Sequence, residues 1–244
     1  MTVRRVIIGF HAVMGLLRAD ASSVEEILLD ENRGDARAQG LVELAQERNV
    51  RLMRVTQQRL AGFAADGRHQ GVVALVNGHI LRESLDDLLD RLTTPPLILV
   101  LDGVTDPHNV GACLRVADAA GVNAVIVPRD RAAGINATVS KVASGAAETM
   151  PYYMVTNLAR TLDELKERDI WIAGADAEAA NDLHTADLPG AIAWVFGAEG
   201  AGMRRLTRER CDLLVRIPML GQVQSLNVSV AAGICLFESV RRRR

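Results

Sequence analysis

The sequence predicts an α/β protein in two parts: a small α/β module over residues 1–76 and a mostly parallel, helix-covered sheet over 97–244, joined by a linker at 77–96. Three observations carry this. From Leu97 onward, short apolar runs alternate with segments of helical period, the rhythm of strand–helix–strand units. Leu97–Leu101 is apolar at every position, as in a strand buried on both faces. Hydrophobic residues make up 49% of 244 residues against a formal net charge of −2, which supplies a sizeable core and excludes a disordered chain.

In the first module, Gly9–Arg18 reads as a helix with Val13, Leu16 and Leu17 at helical spacing. Val24–Leu29 reads as a strand, and Asp35–Arg48 as a helix with Leu41, Leu44 and Ala45 on one face. Val50–Val55 and Gly71–Val76 read as strands, with Gly62–Gln70 a turn-rich loop. Asn77-Gly78 is a turn signal and Thr93-Thr94-Pro95-Pro96 a breaker; between them Leu85, Leu88, Leu89 and Leu92 mark a short amphipathic helix in the linker.

In the larger part, Leu97–Leu101, Ala124–Val127, Tyr152–Val155, Ile170–Gly174, Ile192–Phe196 and Leu213–Ile217 are predicted strands. Helices are predicted over Val110–Ala120, Thr138–Ala147, Leu158–Arg168, Arg204–Arg210 and Asn227–Val240. Ligands of such sheets bind beyond the carboxyl ends of the strands, so the loops after Leu101, Phe196 and Ile217 are where chemistry is expected.

Several classes drop out. Cys113, Cys211 and Cys235 are far apart and odd in number, which argues against a disulfide framework. His11, His69, His79, His108 and His184 are scattered, without metal-ligand spacing, so no metal is expected. Two arginines and only three apolar residues before Gly9 make a poor signal peptide. No apolar run approaches the roughly 18–20 residues of a membrane span. The expectation is a soluble, cytoplasmic protein. Of 28 positive residues only Lys141 and Lys166 are lysine, leaving 26 arginines, a bias that codon usage or bidentate phosphate contacts would both produce.

The first loop, Asp102 to Gly111, runs into a helix carrying Arg115. Asp106 or Asn109 can cap that helix. Val110, Leu114, Ala117 and Gly121 share one face, which leaves Arg115 off it, either paired with Asp118 on a solvated surface or functional. The second loop, Gly197-Ala198-Glu199-Gly200-Ala201-Gly202-Met203, permits close backbone approach to a ligand, and a plain turn has no need of Glu199. It lacks the Lys-Ser/Thr of a phosphate-binding loop and the glycine order of a dinucleotide fingerprint. The third, Ile217 to Asn227, has Pro218 and Gly221 shaping a turn, and Ser225 or Asn227 as helix cap. No G-x-S-x-G hydrolase motif occurs. The residues alone indicate an α/β enzyme with a polar, backbone-lined pocket.

These loops, with Asp102–Arg115, Phe196–Met203, Ile217-Pro218-Met219 and Ser225–Ser229 in that order, closely resemble the three motifs of the SpoU/TrmH RNA ribose 2′-O-methyltransferases. Gly9–Val13 and His69–Ala74 resemble the L30-like substrate-binding module that precedes the catalytic domain in members acting on a guanosine of bacterial 23S rRNA. The resemblance covers nearly the whole chain. It implies a trefoil-knotted SPOUT methyltransferase domain behind an L30e-like α/β domain, and an obligate homodimer whose active site is completed across the interface. It implies S-adenosylmethionine held by main-chain groups at Gly197, Ile217 and Leu226, with Met219 nearby. Asn109, Arg115, Glu199 and Asn227 match the catalytic positions, with Glu199 orienting Arg115 or Asn109 and Ser225 supporting its loop.

The implied reaction is ribose methylation of a guanosine in the peptidyl-transferase region of 23S rRNA, free or in a ribosomal assembly intermediate. tRNA ribose methylation and a non-catalytic assembly factor are the alternatives. RNA would be recognised by shape and phosphate contacts, because 3% aromatic residues cannot build a base-stacking sheet. Arg4, Arg5, Arg33, Arg37, Arg51, Arg54, Arg59 and Arg68 are the candidate contacts, and the tail Arg241–Arg244 reads as either solvated or touching RNA, without an assigned role.

Overall fold

The computed structural model describes residues 5–63, 69–76 and 83–243, the side chains of Arg5 and Ala19 excepted. The chain divides into two units, Met1–Arg82 with Ser144–Thr149, and Glu83–Ala143 with Met150–Arg244.

The first unit holds β1 (Arg5–Ile8), α1 (Phe10–Asp20), β2 (Val24–Asp30), α2 (Ala36–Glu47), β3 (Leu52–Val55), α3 (Gln57–Ala61) and β4 (Val72–Val76). Among the described residues its strands form a four-stranded sheet in the order β1-β4-β2-β3. β4 runs antiparallel to β1 and β2, and β2 parallel to β3. Alternation along the strands divides the core in two. Ile27, Leu29, Val72 and Ala74 pack with Phe10, Val13, Leu17 and Leu41 of α1 and α2. Leu28, Val73 and Leu75 pack on the other side with Val55 and Leu60. Asp35 caps α2 by accepting from the N–H groups of Arg37 and Ala38. β1 and α3 are elements that the sequence reading did not expect. Val6-Ile7-Ile8 is too short to show a period, and it becomes a strand because β4 offers it an edge. The Asn77-Gly78 turn and residues 64–68 of the expected loop lie outside the described residues.

The chain continues through α4 (Leu85–Arg91), β5 (Leu97–Asp102), α5 (Pro107–Ala119), β6 (Ala124–Pro128), α6 (Ala137–Ala143) and α7 (Ala146–Thr149), the last grouping with the first unit. Then follow β7 (Tyr152–Val155), α8 (Leu158–Lys166), β8 (Trp171–Ala175), β9 (Asn181–Asp182), β10 (Ile192–Gly197), α9 (Arg205–Arg208), β11 (Leu213–Arg216) and α10 (Val228–Arg242). Among the described residues the second unit's sheet has seven strands, ordered β7-β6-β5-β10-β8-β11-β9, and every pairing is parallel. Leu88 of α4 and Leu158, Leu162 and Leu165 of α8 cover one face, against Ile98, Val100, Ile126, Ile172 and Val195. α4 thus belongs to this core although it lies within the stretch read as linker. The alternate residues Leu97, Leu99, Val125 and Trp194 are buried on the opposite side. There α10 packs on α5 and β10, and Trp194 Nε1 donates to Ser239 Oγ of α10 at 2.8 Å.

Three details depart from the sequence reading. α5 starts three residues early, at Pro107, because Asp106 is its cap and accepts from the His108 N–H at 2.9 Å. The helix expected over Thr138–Ala147 breaks at Ser144 (φ +54°) and Gly145 (φ +103°). A Cβ at Gly145 would stand 3.0 Å from the His11 carbonyl oxygen, so close backbone packing replaces helical continuation. β9 has two residues and no sequence signature.

The described C-terminal arginines are bonded to the fold, although Arg241 and Arg243 stay exposed. Arg241 and Arg242 donate to the buried Glu238 carboxylate at 2.7–2.9 Å. Arg242 also donates to the carbonyls of Leu183 and His184, and Arg243 to that of Pro96. Arg244 lies outside the described residues. The Arg241 and Arg242 guanidiniums outweigh burial and hold the Glu238 carboxyl at about 2, with His184 Nδ1 3.8 Å away. A depressed carboxyl stabilises the fold above its unfolded pKa of about 4.3, and this contribution is lost as pH falls toward 2. Glu238→Gln is therefore expected to cost about 1–3 kcal/mol at pH 7. In urea titrations against pH, the gap between parent and variant closes from about pH 5 down to pH 2; a constant gap counts against the ion-pair cluster.

Candidate functional site

β5, β10, β8 and β11 are neighbours in one parallel sheet, so the loops at their carboxyl ends share a rim. A cavity of about 1140 Å³ opens there, slightly above the roughly 300–1,000 Å³ usual for a small-molecule site. Its lining comes from the loop after β8, the turn after β10 and the segment after β11.

The turn after β10 folds back on itself. The Ala198 N–H donates to Gly202 at 3.1 Å, and the Gly202 N–H returns to Ala198 at 2.8 Å. Gly197 has no room for a side chain, since a Cβ there would lie 2.0 Å from the Gly202 carbonyl carbon and 2.1 Å from the Met203 nitrogen. Main-chain groups therefore form this wall. Ile217, Met219, Ser225 and Leu226 line the cavity with Gly197 and Glu199. Asp102, buried at the end of β5, accepts from the Arg204 N–H at 2.9 Å and from Arg204 Nε at 2.5 Å, which ties the first loop to the end of the glycine-rich turn.

Asn227 is the cap of α10. Its Oδ1 accepts from the Ser229 N–H at 2.9 Å and from Ser229 Oγ at 2.7 Å, while its Nδ2 donates to Asn109 Oδ1 at 2.8 Å. The first and third motifs thus meet directly. Leu226 and Val228 on either side of Asn227 line the cavity, so the asparagine pair stands at its edge.

Arg115 and Glu199 do not join them. Arg115 is exposed, and among the described residues it pairs neither with Asp118 nor with any other group. Six residues beyond Asn109, it stands about 120° round the α5 axis and about 9 Å along it. Glu199 is exposed on the cavity wall and bonds to neither Arg115 nor Asn109.

The sequence reading missed the loop after β8. Asp176 lines the cavity and pairs with Arg208 Nε at 2.8 Å. Burial pushes the Asp176 carboxyl up, but Arg208 and the Glu178 N–H outweigh it and leave the pKa below the ordinary value. The strand-end rule, applied to Gly174-Ala175-Asp176, would have found it. Among the charged lining residues acids outnumber bases: Asp176, Glu178, Asp182 and Glu199 against Arg208 and Arg216.

In the first unit, Arg33 bonds Asp35 and the Gln70 carbonyl and lies 4.8 Å over the Phe10 ring. Arg54 donates to the Glu31 and Arg33 carbonyls, and Arg51 pairs with Glu26. Arg37 and Arg59 are exposed and, among the described residues, unpaired. Arg4, Arg68, His79 and the Arg5 side chain lie outside the described residues. The cysteines are free, and burial pushes the Cys113 and Cys211 thiols up to about 12. Among the described residues no cluster of three or more metal-ligating side chains occurs, and no helix is long and apolar enough to cross a membrane.

The sequence profile of the SpoU rRNA methylase family matches residues 96–237. The chain belongs to this family. The SpoU assignment extends upstream, where a profile described as RNA 2′-O ribose methyltransferase substrate binding matches residues 6–80. A SpoU relative from Ralstonia nicotianae, the 23S rRNA (guanosine-2′-O-)-methyltransferase RlmB, is 60% identical over 243 residues, covering 100% of this chain and 98% of its own. The solved structure of an RNA 2′-O ribose methyltransferase superposes with a TM-score of 0.78 at 28% identity, over 98% of this chain and 89% of that one. The SpoU methyltransferase AviRb from Streptomyces viridochromogenes, solved with AdoMet, shares the fold with a TM-score of 0.79 at 24% identity, over 98% and 90% of the two chains.

The glycine-rich turn of the SpoU domain offers a sharp test. Gly200→Ala meets open space and only the strain of φ +77°, about 1 kcal/mol. Gly197→Ala drives a methyl into backbone and should cost at least about 3 kcal/mol in denaturant titrations. Equal midpoints for the two variants would mean that the close approach does not exist.

Proposed function

We propose that this chain transfers a methyl group from S-adenosylmethionine to the ribose 2′-hydroxyl of a guanosine in 23S rRNA. The observation that carries the reading is the Asn109–Asn227 pair at the edge of a cavity whose wall at the glycine-rich turn is main chain. In this reading residues 1–76 recognise RNA, 97–244 form the methyltransferase domain and 77–96 join them. The profile matches at 6–80 and 96–237 support that division.

The residues present fit the cofactor. Gly197, Ile217 and Leu226 would hold it through main-chain donors and acceptors. The acid-rich wall suits a ligand with sulfonium and ammonium charges. When bound, it supplies a methyl group already activated by the positive sulfur.

The protein's task is then to align the 2′-oxygen and manage its proton. Alignment alone can supply several kcal/mol, up to about 7–11. Asn109 keeps both amide protons free for ribose or phosphate oxygens, because it accepts rather than donates toward Asn227. A guanidinium is a standing positive charge with donors only, so Arg115 stabilises the forming alkoxide while the proton passes to solvent.

Arg115 on this chain faces away from the asparagine pair, which supports a homodimer in which the partner copy's arginine completes the site and Glu199 receives it. Val230 and Phe237, seven residues apart on α10 and 50% and 48% exposed, supply an apolar stripe for that contact. The trefoil knot belongs to the same reading: the chain leaves β11, two strands from β10, and returns as α10 on β10 and α5. Of the candidate arginines named from the sequence, Arg37 and Arg59 are the ones left free for phosphates among the described residues. The setting is the cytoplasm, where rRNA is made and folded.

Mapping ribose methylation on 23S rRNA with and without the protein tests the reaction; an unchanged map defeats it. Arg115→Ala and Asn109→Ala should each lower kcat about a hundredfold or more, roughly 3 kcal/mol, with cofactor affinity kept. Mixing the two inactive variants should restore activity if the site spans two copies. No restoration places each site within one chain.

A further inference from the structure

We propose a phosphodiester-binding site on the second unit, formed by Arg129 and Arg131 in the turn after β6, which grips the RNA strand beside the nucleotide being modified. The inference rests on the RNA-methylation reading and assigns that substrate a second hold outside the first module.

Placement comes first. β6 pairs in parallel with β5, so its turn leaves the same rim as the Asn109 loop. In strand order β6-β5-β10, the cavity wall after β10 lies on one side of the Asn109 loop and the arginine turn on the other. The two loops are joined, since the Ala133 N–H donates to the Val104 carbonyl at 3.4 Å. A strand crossing the arginine turn is thereby led to the asparagine pair.

The turn is also held rigidly in an unfavourable shape. Arg131 has φ +60°, a left-handed conformation costing a side-chain-bearing residue about 1–2 kcal/mol. It ends no helix, unlike Asn49 and Asp169, which follow α2 and α8. The Arg129 N–H bonds the Val155 carbonyl at 2.7 Å, Tyr152 donates its hydroxyl to Ala133 at 2.8 Å, and Asn136 caps α6. Strain that neighbours enforce is a mark of functional segments.

The charges are unspent. Arg129 and Arg131 are exposed, and among the described residues neither side chain is paired, Asp130 between them included. Elsewhere in this unit Arg204, Arg208, Arg210, Arg216 and Arg242 bond acids or carbonyls. Two free guanidiniums on a pinned turn present forked donors that match phosphate oxygens.

The test uses Arg129→Ala, Arg131→Gly and the double variant in the full-length protein, with an unmodified 23S rRNA transcript as probe. Glycine accepts φ +60°, so Arg131→Gly should keep or raise Tm. The double variant should bind the transcript about tenfold more weakly at 0.1 M salt, with the log K against log salt slope shallower by about one per arginine. KM for the transcript should rise, while kcat at saturation and calorimetric affinity for S-adenosylmethionine stay parental. Arg131→Lys should recover part of the loss. Parental RNA affinity, slope and KM in the double variant overturn this site and leave the methylation reading intact. Failure of the unsubstituted protein to bind or methylate the transcript defeats the reading itself, and this site with it.

Discussion

The second unit's site depends on backbone meeting backbone at Gly197. There the chain leaving β10 turns back so closely that only a hydrogen fits on the α-carbon. This contact sets where Ala198 and Gly202 exchange hydrogen bonds and where Arg204 emerges. Arg204 then reaches the buried Asp102, so the glycine-rich turn is fastened to the start of the first loop. A wall made this way presents peptide dipoles in fixed directions, without the rotamer entropy that side chains would lose on binding. Gly197 is also the last residue of β10, and its register against Asp102 of β5 anchors the turn to the sheet.

Charge is partitioned by the same architecture. Among the charged residues of the cavity wall acids outnumber arginines, whereas the exposed arginines unpaired among the described residues lie on the β6 turn, at Arg115 on α5 and in the first unit. A positively charged donor and a polyanionic acceptor thus meet surfaces of opposite sign. The 26 arginines among 28 basic residues do not by themselves announce RNA. Many serve the fold: Arg54, Arg216, Arg242 and Arg243 satisfy main-chain carbonyls. The planar, five-donor fork suits that role as well as it suits phosphate. The arginines that inform about function are those the fold leaves unused.

The elements legible in the sequence are those whose own residues decide them. Leu97–Leu101 and Ile192–Phe196 are buried on both faces and read as strands, and α2 and α8 show an apolar period behind an Asp or Asn cap. β1 and β9 escaped because their existence depends on a neighbouring edge, and the break at Ser144-Gly145 because it is forced by a residue more than a hundred positions away. The site was legible at the level of loops. Asn109 and Asn227 meet as their motifs suggest, and Gly197, Ile217 and Leu226 share one cavity. Arg115 and Glu199 were placed in the same group, yet within one chain they stand apart from the asparagines. Motif membership fixes a residue's position along the chain, whereas helical phase fixes its direction. Asp176 was missed because one strand end was left unread.

Asn227 joins the fold to the site more tightly than any other residue. One amide group performs two tasks, its oxygen capping α10 and its nitrogen holding Asn109. Capping alone would be met equally by Ser, Thr or Asp. None of these both accepts from the helix and donates across to Asn109 through a planar amide, so the second task selects Asn. At its other end α10 is held by Glu238 with Arg241 and Arg242 and by Ser239 to Trp194, and in its middle by the buried Cys235 and Leu236. The helix is therefore clamped along its length, and the position of Asn227 follows from packing far from the cavity. The cap at Asn227 and the Glu238 cluster thus hold opposite ends of one helix, and the polar pair at the site sits on an element whose far end is fixed by the fold.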